Sequence, residues 1–268
     1  MERKEVRLGA GTIVYHEAGS GPTLLFVHGV FANSALWSKV VPLLSGRYRC
    51  IVPDWPLGSH PVPLGIPLSP FIVADMIGEL IEKLGLEDVT LVGNDTGGAL
   101  CQMFVVRHPG VVKRLVLTNC DAYDKFPPQP FTYLVWVPYI PGAMALLAMS
   151  MRPRFMRRAP IAYGWLAKRM PPEVEEAFVR PVMTNKGVRA DIAGFLKAAN
   201  KKQLMQTAER YGSIDIPVTL AWGEDDKAFK LSFAERMARD IPNAELHRIP
   251  DSYTFVSLDQ PERLAALI

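Results

Sequence analysis

Apolar and polar positions follow two patterns along most of the chain. Short apolar runs bounded by turn residues predict buried strands, and stretches with apolar side chains three and four positions apart predict helices. The predicted strands cover residues 6–8, 12–16, 23–27, 49–52, 89–92, 114–117, 218–222 and 244–249. The predicted helices cover residues 36–44, 71–84, 96–107, 232–240 and 261–268. Because strands and helices alternate, the pattern predicts a mainly parallel sheet with helices on both faces.

The alternation stops in the middle of the chain, between residues 125 and 211. This stretch carries 14 Lys and Arg against 5 Asp and Glu, whereas the rest of the chain carries 16 against 22. We therefore expect a helical cap domain, 125–211, inserted into an α/β core formed by residues 1–124 and 212–268. Its basic character indicates either a solvated helical surface or a lid that meets anionic ligands or, weakly, a membrane surface.

Residues 131–151 raise the question of a membrane span, since they are nearly uncharged and long enough to cross a bilayer. Pro138, Pro141 and Gly142 interrupt them, and proline breaks a helix interior, so we expect short buried or interfacial helices instead. The three cysteines lie in apolar stretches, and the first residues lack the apolar core of a signal peptide. Together these features predict a cytoplasmic protein without disulfide bonds.

Residues 92–100, Val-Gly-Asn-Asp-Thr-Gly-Gly-Ala-Leu, have the outline of a strand, a very tight turn and a helix. Asp95 stands at the tip of the turn, with Gly93 and Gly97 on either side. A turn this sharp needs small flanking residues, and the backbone N–H groups at the start of the helix can hold an anion. The alternative is that Asp95 only caps the helix.

Five further motifs occur in a fixed order around this turn. They are Val27-His28-Gly29, Asp-Trp-Pro-Leu-Gly-Ser at 54–59, Arg107-His108-Pro109, Trp-Gly-Glu-Asp-Asp at 222–226 and Asp-Gln-Pro-Glu at 259–262. With them the chain resembles the α/β-hydrolase fold superfamily. Its aspartate at the nucleophile elbow is similar to the haloalkane dehalogenase and epoxide hydrolase branch. The resemblance implies a mainly parallel eight-stranded sheet with an inserted helical lid.

The resemblance also implies a set of catalytic roles. Asp95 would attack carbon and form an alkyl ester on the enzyme. The backbone N–H of Thr96 and one near Val30 would form the oxyanion hole. Asp226 would orient the catalytic base, with Asp121 as a reserve candidate because some relatives place the acid there. Asp226 could also simply belong to a turn.

The pattern departs from the family at the position of the catalytic histidine. By spacing to the Asp-Gln-Pro-Glu motif, Thr254 occupies that position, and threonine cannot act as a general base near pH 7. Among the five histidines, only His60 lies on a loop that could reach the site as a replacement. In dehalogenases a tryptophan after the nucleophile and, in one subgroup, an asparagine after His-Gly bind the halide. Thr96 and Val30 occupy those positions here.

The substrate pocket is expected between the core and the cap domain. The predicted pocket residues are His28, Trp37, Tyr133, Trp136, Tyr139 and Trp165. Such a wall favours an apolar or aromatic small molecule, and lid tyrosines are available to protonate an epoxide oxygen. The sequence has no metal-ligand spacing, no phosphate loop and no nucleic-acid-binding signature, so we expect no metal, cofactor or nucleic-acid partner. It leaves the oligomeric state open.

Three functions remain open at this point. The first is a hydrolase with an aspartate nucleophile acting on an epoxide, alkyl halide or ester-like substrate, with an incomplete triad and a slow second step. The second is a lyase or isomerase that uses Asp95 as acid or base, because burial and repulsion from Asp226 would raise the pKa of one carboxyl. The third is a ligand-binding protein without catalysis.

Overall fold

The computed structural model describes residues 1–268, and an eight-stranded sheet crosses its centre. The strands are β1 (Glu2–Leu8), β2 (Gly11–Ala18), β3 (Thr23–Val27), β4 (Arg49–Pro53), β5 (Thr90–Asp95), β6 (Arg114–Cys120), β7 (Val218–Gly223) and β8 (Ala244–Ile249). Their order in the sheet is β1-β2-β4-β3-β5-β6-β7-β8. Strand β2 pairs antiparallel with β1 and β4, and all other pairs are parallel. The predicted fold class is confirmed.

Helices cover both faces of this sheet. The α-helices are α1 (Val41–Leu44), α2 (Pro70–Lys83), α3 (Thr96–Arg107), α4 (Ala143–Ser150), α5 (Arg154–Arg157), α6 (Pro172–Thr184), α7 (Lys186–Ala198), α8 (Lys201–Ala208), α9 (Leu231–Asp240), α10 (Val256–Asp259) and α11 (Pro261–Leu267). Central strands such as β3 and β7 are buried along their whole length, as expected for parallel strands covered on both faces. Helix α3 lies behind β5 and is buried from Thr96 to Val106.

One predicted helix, 36–44, is wrong as a single element. The chain forms a 3₁₀ turn at Ser34–Trp37 and then the short helix α1, with Pro42 in its first turn. Proline fits the first turn of a helix but cannot continue one, so the apolar spacing belongs to two elements.

The segment between β6 and β7 is helical and contains α4 to α8. Its nearly uncharged part divides into 3₁₀ turns at Phe131–Val135 and Val137–Tyr139, followed by α4. No helix in the chain combines the length and apolar character that a bilayer crossing requires. Aromatic residues of this segment join the main apolar core, for example Phe178, whose ring lies 6.0 Å from the ring of Phe255. We call residues 121–217 the inserted segment.

Candidate active site

Asp95 stands on a strained turn between β5 and α3. Its backbone angles, φ 55° and ψ −135°, are rare for a residue with a side chain. Two glycines make room for the turn. A Cβ atom on Gly97 would lie 2.3 Å from the carbonyl oxygen of Val27, and one on Gly29 would lie 2.2 Å from Oδ2 of Asp95. The turn therefore holds the carboxyl close against the neighbouring loop.

The carboxyl of Asp95 is almost completely buried, with 6% of the residue exposed. Burial raises its pKa to about 7, because a carboxylate loses its hydration there. The N–H of Thr96 opposes this shift, whereas the nearby charge of Asp226 adds to it. Asp95 therefore keeps its proton to a higher pH than an exposed aspartate does.

Asp226 follows β7 and accepts four hydrogen bonds. Its Oδ1 accepts from the N–H groups of Ala228, at 2.7 Å, and Phe229, at 3.0 Å. Its Oδ2 accepts from the amide of Asn119, at 2.6 Å, and from the hydroxyl of Thr254, at 2.8 Å. Burial nevertheless raises the pKa of Asp226 to about 7. Thr254 thus contacts the acid as a neutral hydroxyl donor.

Asp121 is a third buried carboxyl beside the elbow, directly after β6. Its Oδ2 accepts a hydrogen bond of 2.9 Å from the hydroxyl of Thr96, while its Oδ1 is buried without a partner. Burial and then the charge of Asp95 raise the pKa of Asp121 well above its usual value. An aspartic acid in its neutral form avoids the cost of an unpaired buried charge. Asp121 is therefore the carboxyl of the three with the strongest reason to keep its proton.

His28 and His60 form hydrogen bonds to groups other than Asp95, Asp121 and Asp226. In His28, Nε2 accepts from the N–H of Trp55 at 2.8 Å and Nδ1 lies 2.9 Å from the carbonyl oxygen of Gly29. Burial lowers the pKa of His28 to about 4, so this ring is neutral. His60 is buried, with Nε2 3.0 Å from Asp191 on α7. Its other ring nitrogen accepts a backbone N–H, so His60 joins the 54–65 loop to the inserted segment.

A small, mostly apolar cavity of about 60 Å³ lies above Asp95. The structure brings four of the predicted residues to its wall, namely Val30, Asp95, Thr96 and Tyr133. The wall also includes Phe131, Leu134, Tyr163, Leu166, Leu196 and Phe229. Such a wall favours apolar groups, because few polar groups there would lose hydration without a partner.

Five of the predicted pocket residues lie elsewhere. His28 and Trp37 are fully buried and do not line the cavity. Trp136 and Tyr139 are 70% and 62% exposed on the outer side of the inserted segment. The ring of Trp165 packs against the ammonium group of Lys227. For Trp136 and Tyr139 the 3₁₀ turns give the reason, because such turns follow neither helical nor strand spacing and hide which side of the chain faces inward.

Two tyrosines of the cavity wall donate their hydroxyls to backbone carbonyls. Tyr133 donates to Ile161 at 2.8 Å and Tyr163 donates to Phe31 at 2.7 Å. A role in protonating an epoxide oxygen would require either tyrosine to exchange this bond for one to the substrate. Tyr163 was available in the sequence as a lid tyrosine, but nothing in its spacing marked it as a wall residue.

Known proteins of several activities are similar to this chain over nearly its full length. Haloalkane dehalogenase 2 of Mycobacterium bovis is 27% identical over 268 aligned residues, which cover 96% of this chain and 90% of that protein. The cis-3-alkyl-4-alkyloxetan-2-one decarboxylase of Xanthomonas campestris is 28% identical over 290 aligned residues, covering 100% and 94%. The structure of the epoxide hydrolase CorEH superposes with a TM-score of 0.81 at 19% identity, covering 99% and 96%.

The alpha/beta hydrolase fold family model matches residues 22–261. This range contains the turn of Asp95, the loop of Asp226 and the whole inserted segment. The chain belongs to the alpha/beta hydrolase fold family.

Proposed function

We propose that this protein is an enzyme in which Asp95 attacks an electrophilic carbon of an apolar small molecule and becomes its alkyl ester. One observation carries the proposal: Asp95 stands on a strained turn that points its buried carboxyl into an apolar cavity. A carboxylate with little hydration and a pKa near 7 is a stronger nucleophile than one in water. Strain that persists at a cavity is typical of a functional residue.

The substrate class follows from the cavity and from the similar proteins. An alkyl halide, an epoxide or an ester-like compound has an electrophilic carbon that a carboxylate can attack. Thr96 and Val30 stand where dehalogenases of the resembled branch carry their halide donors, which makes a halide leaving group the least supported of the three. We therefore favour a substrate whose leaving oxygen stays attached to the molecule, as in a strained cyclic ether or ester.

The second half of a hydrolytic cycle lacks its usual base. Thr254 is a hydroxyl donor to Asp226 and accepts no proton at neutral pH. Asp226 already accepts four hydrogen bonds and does not line the cavity. A hydrolase built on this site forms the ester quickly and releases it slowly, because no group activates water.

A second candidate function, a lyase, needs no such base. In an oxetan-2-one, Asp95 attacks C4 and the C4–O1 bond breaks, so that its electron pair leaves a free carboxylate on the substrate. The C2–C3 bond then breaks and releases carbon dioxide, its electrons form the C3–C4 double bond, and the bond from C4 to Asp95 breaks. The aspartate is restored without water or proton transfer. Threonine at position 254 and the 28% identity to an oxetan-2-one decarboxylase favour this candidate.

Intact-mass spectrometry after incubation with 1-bromohexane, 1,2-epoxyhexane and a dialkyl oxetan-2-one tests both functions. We expect a mass gain in the native protein with the epoxide, less or none with the bromoalkane, and none in Asp95→Asn. Asp225→Asn, the same change at an exposed neighbour of Asp226, is the matched control and should keep the adduct. Thr254→His should shorten the lifetime of the adduct.

The products in the same samples separate the outcomes. Alkene and carbon dioxide from the oxetan-2-one, lost in Asp95→Asn, would select the lyase. Diol or alcohol would select the hydrolase. No adduct and no product from any of the compounds would contradict both candidates and leave a protein that only binds its ligand.

A further inference from the structure

Exposed apolar side chains are concentrated on one stretch of the inserted segment. Seven of the twelve large apolar side chains that are exposed in this protein fall between residues 136 and 161. We call them the apolar face: Trp136, Tyr139, Ile140, Leu146, Met149, Phe155 and Ile161. Single exposed apolar residues are common, but such a concentration marks an interaction surface.

Helix α4 carries apolar side chains on both its inner and its outer side. Its inner side chains Met144 and Leu147 line a second small apolar cavity, of about 50 Å³. On its outer side, Leu146 is 72% exposed and Met149 is also exposed. A helix that is apolar all round is normally buried all round, so the outer side of α4 lacks the partner that its sequence predicts.

Positive charge borders the apolar face. Arg152 and Arg154 follow α4 directly and are exposed, and Arg152 forms no ion pair. Arg154 and Arg158 share the buried carboxylate of Glu175, which leaves an excess of positive charge at this end. At the Tyr139 end of the apolar face, the ammonium group of Lys197 on α7 lies over the ring of Tyr139, 5.4 Å from its centre. The exposed Glu173 and Glu176 are the acidic groups nearby along the chain, and Glu176 is paired with Arg157.

We propose that the apolar face docks on the surface of an anionic lipid bilayer. Leu146, Phe155 and their neighbours would enter the boundary between headgroups and acyl chains, while the arginines meet lipid phosphates. Trp136 and Tyr139 are residue types that favour the membrane–water boundary. The charge selects this occupant over a second copy of the chain, because two copies would bring their arginines together.

Docking would also bring the interior of the protein close to the lipid. The cavity behind α4 shares Tyr133, Leu134 and Tyr163 with the cavity above Asp95. These shared side chains therefore separate the cavity behind α4 from the cavity above Asp95. The docking itself does not depend on the chemistry of Asp95.

Flotation with vesicles of phosphatidylcholine, with and without phosphatidylglycerol, tests the docking. The native protein should float with the anionic vesicles, and added salt should weaken its binding. The double variant Leu146→Asn, Phe155→Asn should lose about tenfold or more in partitioning. A matched control is Ile72→Asn, Val111→Asn, which changes two exposed apolar residues outside the inserted segment and should bind like the native protein.

Tryptophan fluorescence gives a second readout on the same samples. Trp136 is the most exposed of the five tryptophans, so docking should shift the emission to shorter wavelength, and Trp136→Phe should abolish most of this shift. Equal binding of the Leu146/Phe155 variant and the native protein would overturn the proposal. So would binding that does not depend on phosphatidylglycerol, or a lipid-free dimer that this variant abolishes. Asp95→Asn should dock normally, which separates this test from that of the proposed function.

Discussion

Replacement of Asp95 by asparagine should stabilise the protein at alkaline pH. Asparagine has nearly the same shape as aspartate and keeps an oxygen that can accept from the N–H of Thr96. It carries no charge, however, and the cost of an ionised carboxyl in the apolar cavity disappears. The native protein pays this cost whenever Asp95 is ionised in the folded state.

The size of the effect follows from the pKa of Asp95, which is 3.8 in the unfolded chain and about 7 in the folded protein. Between these values the folded protein holds a proton that the unfolded chain has lost, so stability falls as the pH rises through this window. A difference of about three pKa units corresponds to at most ~4 kcal/mol. We therefore expect Asp95→Asn to raise the free energy of unfolding by about 2–4 kcal/mol at pH 8, and by much less near pH 4.

Urea unfolding at pH values from 4 to 8 measures this difference directly. The control is Asp251→Asn on the surface, where hydrogen bonds from Arg169 and Lys168 lower the pKa of the carboxyl. Its substitution should not stabilise the protein at alkaline pH, because the ionised form is the favoured one there. If Asp95→Asn changed stability equally at all pH values, the folded protein would not retain the proton, and our reasoning about the cavity would be refuted.

Three further predictions concern the support of the site. Gly97→Ala should destabilise the protein by about 3 kcal/mol or more, measured by urea unfolding, because its Cβ would overlap a β3 carbonyl oxygen. Asp191→Ala should lower the free energy of unfolding by about 3 kcal/mol in the same assay, because this carboxylate accepts three hydrogen bonds, one of them from His60. A decrease below about 1 kcal/mol would contradict this role. Thr254→Val should raise the pKa of Asp226 and lower the free energy of unfolding by about 1–2 kcal/mol, more at pH 8 than at pH 5. An equal decrease at both pH values would contradict the view that the Thr254 hydroxyl stabilises the ionised form of Asp226.

The sheet and the elbow were predictable because each depends on local patterns. Buried parallel strands are continuous apolar runs, and the two glycines around Asp95 are required by contacts that any side chain would block. Spacing from the Asp-Gln-Pro-Glu motif also predicted that Thr254 belongs to this region, and its hydroxyl lies 2.8 Å from Asp226. The catalytic roles of these residues stay predictions.

The cavity wall was less predictable because it depends on packing between distant parts of the chain. Tyr163 enters the wall through a hydrogen bond to Phe31, 132 positions away, and no spacing reveals that contact. Trp136 has the composition of a pocket residue but lies on the opposite side of the segment. His60 lies on a loop, as a replacement base should, yet Asp191 on α7 binds its ring.

Threonine at position 254 leaves the buried carboxyls of the site without a cationic partner. With a histidine at position 254, its cationic form would offset the negative charges of Asp95 and Asp226 and make both ionised forms less costly. Thr254 offers a dipole in place of a charge, so the remaining way to neutralise these buried carboxyls is to bind protons. Under the proposed function, the ionised form of Asp95 is only partly populated, and no cation stabilises an attacking hydroxide. Such a site suits a reaction that returns the carboxylate by fragmentation of the substrate better than one that requires water to attack an ester.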